Sequence, residues 1–74
     1  MSQRAPQLTE DEVTRVLRRR GFVLISQRGS NQKWRHPEAG RQVIVPYHAG
    51  KQLPTGTLKS IIEGSGIPER DFRR

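Results

Sequence analysis

A chain of 74 residues has room for one domain, 1–74, with one modest core, since so short a chain buries barely enough surface to offset its conformational entropy; a multidomain enzyme is excluded. It has no cysteine and only two histidines, His36 and His48, which excludes a disulfide framework and a thiolate or histidine metal cage; any chemistry is then metal-free or borrows a cofactor, and no cofactor is expected. Fourteen Lys and Arg against seven Asp and Glu give a net charge of +7, the electrostatic footprint of a nucleic-acid partner, although surplus cations also serve solubility.

The N-terminal "MSQRAPQLTE" lacks the hydrophobic core of a secretory signal, and no later apolar run approaches bilayer length. The chain therefore reads as soluble and cytoplasmic, with no membrane partner. Residues 1–7 are polar, contain an early proline and are expected to fray. "LTEDEV" is a helix start: Thr9 and Glu12 are spaced as a capping box, Leu8 and Val13 as a hydrophobic staple, and Glu10 and Asp11 suit the positive end of the dipole. The spacing predicts a helix from about Glu10, with Val13, Val16 and Leu17 as its buried stripe. Arg18, Arg19 and Arg20 suit its negative end, and Gly21 is placed to be a left-handed stop.

"FVLISQ" reads as a first strand ending at the turn "RGSN", and "QKWRH" as a second. "PEAG" is a turn, and "RQVIVP" is a third strand that Pro46 ends or confines to an edge. After the loop "YHAGKQLPTG", Leu58, Ile61 and Ile62 form the apolar face of a second helix stopped by Gly64 or Gly66, and "IPERDF" adds one last turn.

The order α-β-β-β-α predicts an α+β fold, a three-stranded antiparallel meander with both helices on one face. "FVLI" and "VIV" are apolar without a break, so alternation sends Phe22, Leu24, Val43 and Val45 toward the helices and Val23, Ile25 and Ile44 away. That second face invites a partner chain or self-association, against the plain alternative that scattered surface valines are normal.

In "RGSNQKWRHP", alternation groups Gln32, Trp34 and His36 on one face and Asn31, Lys33 and Arg35 on the other. Lys33 and Arg35 beside the flexible Gly29–Ser30 pair suit an RNA phosphate backbone, and equally suit a solvated edge that discourages aggregation. Trp34 is the only tryptophan, so the small core needs it more than a stacking platform does. His36 and His48 are candidates for proton transfer, or for a turn hydrogen bond and a solvated loop respectively. There is no nucleophile–base pair, carboxylate dyad or phosphate loop, so catalysis would rest on few groups. RNA cleavage tolerates that, because its 2′-hydroxyl is the nucleophile.

The series "G-F-x-L-x-x-Q-R-G-S-x-x-x-W-R-H-P", "V-I-V-P-x-H" and "L-P-x-G-T-L-x-S-I-I" closely resembles the HicA-type toxins, from the first helix to Ile67. The resemblance implies a fold like that of double-stranded RNA-binding domains and a metal-independent endoribonuclease, the toxin of a type II toxin–antitoxin system. Its implied partners are messenger RNA and a HicB-type antitoxin. It also implies that the residue after the Gly29–Ser30 pair is the catalytic histidine, where this chain has Asn31. Asparagine donates hydrogen bonds but exchanges no proton near neutral pH, so the chain as written is expected to be impaired or inactive. A substitution that disarms a toxin and a natural loss of activity both account for Asn31. A non-catalytic RNA-binding module and a small interaction domain with incidental charge are the competing readings.

Overall fold

A computed structural model describes residues 8–48 and 50–72; residues 1–7, expected to fray, lie outside them. The order is α1 (Glu10–Arg19), β1 (Val23–Arg28), β2 (Asn31–His36), β3 (Arg41–Pro46), α2 (Thr55–Ser65) and a short 3-10 helix, η1 (Glu69–Phe72). The strands form an antiparallel sheet in the order β1-β2-β3. This is the expected α+β arrangement. Among the described residues no helix is long and apolar enough to cross a membrane.

α1 begins as its sequence dictates. The Thr9 hydroxyl accepts the Glu12 N–H at 3.3 Å, and the Glu12 carboxylate accepts the Thr9 N–H at 2.9 Å. Such a cap is worth about 1 kcal/mol. Leu8 and Val13 are both buried, as a staple requires. At the other end Gly21 takes φ 96°, its N–H bonds the Arg18 carbonyl, and the Phe22 N–H reaches back to Leu17 at 2.9 Å. That pair of bonds is a Schellman stop, and it delivers Phe22 into the core. α2 is stopped by Gly66, at φ 73°, and not by Gly64. Gly64 lies inside the helix against β3, where an added Cβ would come within 3.1 Å of Val43 Cγ1. Its missing side chain lets helix and strand approach.

The core lies between the helices and one sheet face: Val13 and Leu17 of α1, Leu58 and Ile61 of α2, and Trp34, Val43 and Val45 of the sheet, closed by Phe22, Ile67 and Phe72. Val16 and Ile62, expected inside, are only partly buried at its margin. Arg20 and Asp71 form an ion pair that ties the end of α1 to η1.

Facing the helices does not bury every strand residue. Leu24 pairs with Trp34 and so lies on the helix side, yet it is 44% exposed, and all six residues of β1 are exposed. The helices cover β2 and β3 and stop short of β1, so facing the helix layer does not amount to burial there. The strand bounds also shift: Phe22 precedes β1, while Arg28 and Asn31 belong to the ladder as its last pair.

Candidate functional site

The uncovered sheet face is laid out by register. Directly opposed residues in an antiparallel pair share a face, which gives three rows: Val23–Arg35–Gln42, Ser26–Lys33–Ile44 and Arg28–Asn31–Pro46. Asn31, Lys33 and Arg35 therefore stand along one strand on one face, with Val23 across from Arg35 and Ile44 across from Lys33, each close to half exposed.

Arg28 is the residue that sequence reasoning missed. Strict alternation from Phe22 sends residues 24, 26 and 28 to the helix side, whereas the structure has a bulge between Leu24 and Ser26, with one extra residue, Ile25, opposite the Trp34–Lys33 step. Past the bulge the faces exchange, so Gln27 joins the helix side and Arg28 joins Asn31. The signal was present: a two-residue Gly29–Ser30 loop forces residues 28 and 31 to be partners on one face, and this conflicts with unbroken alternation unless a residue is inserted.

Gly29 has φ 55° and Ser30 does not have a positive φ, the sign pattern of a type II′ hairpin turn. A Cβ on Gly29 would meet nothing within 4 Å, so this glycine is required by backbone conformation, and the space above it is open to a ligand. The turn is held from two directions. The Tyr47 N–H donates to the Ser30 carbonyl, and the Gln27 amide donates to the Gly29 carbonyl at 3.1 Å. Gln27 in turn accepts from Gln32 at 3.4 Å, and Gln32 accepts the Trp34 indole N–H at 3.1 Å. A chain of side-chain amides thus runs from the core tryptophan to the hairpin tip.

At that tip Asn31 is exposed, and its amide has no hydrogen-bond partner among the described residues. An amide donor flanked by Arg28, with Lys33 further along the strand, is equipped to bind an oxyanion and not to exchange a proton.

Trp34 is 2% exposed, and the Arg18 guanidinium lies 5.2 Å from its ring centroid. No base can stack on it. His36 lies on the opposite sheet face from Asn31; its Nδ1 accepts the Ala39 N–H at 3.0 Å, and its ring stands edge-on to Phe22 at 5.3 Å between centroids. It bonds a turn amide where a turn carbonyl was expected, and it buttresses the turn and the Gly21 stop.

Beyond β3, Tyr47 donates its phenol to Asp11 Oδ1 at 2.7 Å. This bond to Asp11 raises the phenol pKa above its ordinary value, with lesser contributions from desolvation and from the negative charges of Asp11 and Glu10, so Tyr47 stays protonated as a tether between β3 and α1. His48 follows, exposed, with its carbonyl accepting the Lys51 N–H at 3.0 Å.

A family model described as the HicA toxin of bacterial toxin–antitoxin systems matches residues 11–67, which include α1, the whole sheet and α2. No curated protein matches the chain.

Proposed function

Because the chain belongs to the HicA toxin family of bacterial toxin–antitoxin systems, we propose that it has an RNA-binding endoribonuclease fold whose catalysis is disabled at Asn31. One observation carries this reading: the residue that follows the Gly-Ser turn is exposed at the hairpin tip, beside Arg28 and in line with Lys33 and Arg35, and it is an amide. Gly29 and Ser30 shape the turn, the three cations hold the RNA backbone, and Asn31 occupies the catalytic position without the proton that catalysis requires. Messenger RNA is the substrate class, which puts the action in the cytoplasm.

The test is cleavage of RNA by this chain beside its Asn31→His counterpart, with binding of both measured at two salt concentrations. Cleavage by the histidine form alone, with both binding, supports the reading. If both fold and bind and neither cuts, a non-catalytic RNA-binding module replaces it.

Arg28 supplies a separate check on the interface. Arg28→Ala is expected to weaken RNA binding alike for all sequences and to reduce the slope of log affinity against log salt by about 1, as loss of one phosphate contact does. An unchanged slope in a fluorescence titration would remove Arg28 from the RNA path.

The family implies a HicB-type antitoxin as the protein partner, and our reading seats it on the open sheet face, where Val23, Ile25 and Ile44 are 45 to 47% exposed. Val23→Lys or Ile44→Lys then lowers antitoxin affinity at least tenfold by calorimetry, because a buried charge without a partner is costly. Unchanged affinity sends the antitoxin elsewhere. Self-association through the same face is the competing use, and sedimentation of the free chain distinguishes it.

A further inference from the structure

We infer that His48 is the second proton-transfer group of this site, standing beside position 31 across the hairpin tip. The inference rests on the ribonuclease reading and concerns a residue to which that reading gives no role.

Three backbone constraints place His48. Asn31 pairs with Pro46 at the last rung of the β2–β3 ladder. The Tyr47 N–H is bonded to the Ser30 carbonyl, which carries the pairing one residue beyond β3. The His48 carbonyl accepts the Lys51 N–H, which fixes its backbone from the other side. His48 is thus pinned on both sides, next to the Gly29–Ser30–Asn31 corner.

Alternation decides its side. Pro46 shares the open face with Asn31, while Tyr47 points the other way, to Asp11 of α1. If the alternation continues one residue past β3, as the Tyr47–Ser30 bond continues the pairing, His48 returns to the side of Asn31. His48 is exposed, and its ring has no bond to another described residue, unlike His36, which is committed to Ala39 and Phe22. Tyr47, also at this corner, is committed to Asp11.

The chemistry has a place for a second group. Attack of the 2′-oxygen on phosphorus breaks the P–O5′ bond and leaves a 2′,3′-cyclic phosphate and a 5′-hydroxyl. The 2′-hydroxyl must lose a proton to one group while O5′ gains one from another. Two imidazoles, at positions 31 and 48, perform both transfers and exchange protonation states, which solvent then resets. The chain as written has one of the two.

The test uses the full chain in the Asn31→His background. Adding His48→Ala is expected to slow cleavage by about 10²-fold or more, with RNA affinity and circular dichroism unchanged. Free imidazole should restore part of that rate, which it cannot do for a residue with only a structural role. His48→Gln, which keeps the size and hydrogen bonding of the side chain, should be slow as well. Cleavage by Asn31→His that is indifferent to His48→Ala overturns the inference and leaves the ribonuclease reading intact. No cleavage by folded, RNA-bound Asn31→His overturns both.

Discussion

Asn31→His is expected to raise RNA cleavage by this chain on the order of 10² to 10⁴-fold, the usual contribution of one positioned proton-transfer group. At about 1.4 kcal/mol per decade this amounts to roughly 3 to 5 kcal/mol of transition-state stabilisation, and the fold provides for it without rearrangement. Position 31 is an exposed strand residue with an ordinary negative φ, so an imidazole fits with no backbone strain. The amide chain from Trp34 through Gln32 and Gln27 holds the turn from the opposite sheet face and does not involve the Asn31 side chain. Arg28, Lys33 and Arg35 are untouched, so RNA affinity should change little. A gain in single-turnover rate with constant affinity is the expected pattern. A gain in affinity with no gain in rate would instead make position 31 a binding residue.

Trp34→Ala should have the largest effect on stability, about 3 to 5 kcal/mol, because it removes the largest fully buried side chain and leaves a cavity between sheet and helices. A 74-residue domain has a total stability on the order of 4 to 11 kcal/mol, so the variant should be largely unfolded at 37 °C. The loss goes beyond packing. The Gln32 amide that accepts the indole N–H loses its donor, and Arg18 loses the aromatic face beneath it. Ile44→Ala, on the same sheet but on its uncovered face, should cost less than about 1 kcal/mol. Urea unfolding of both variants measures the contrast. Similar costs would mean that the uncovered face is as tightly packed as the core.

The helix ends were readable because their signals are local. The capping box at Thr9 and Glu12 and the glycine stop at Gly21 each act within a few residues, and the helix bounds follow from them. The core position of Trp34 and the placement of Asn31, Lys33 and Arg35 on one face followed from the period of two along β2, an unbroken six-residue strand. β1 was less legible. Its apolar run carries no alternation to read, and its bulge is expressed only when its register with β2 is known. Leu24 does face the helix side, as expected, but its exposure was not legible: burial depends on how far a helix reaches, which no strand pattern encodes.

The sequence by itself determined the order of the elements, the family, and the asparagine that follows the Gly-Ser turn, because each is a matter of residue identity at short spacing. Only the tertiary structure decided that Arg28 stands beside Asn31 and that the residue before His48 is bonded to the hairpin turn. Those placements depend on one inserted residue in β1 and one hydrogen bond between Tyr47 and Ser30. The turn length points to the first once the register is drawn, but the second joins segments distant in the chain and has no local signature.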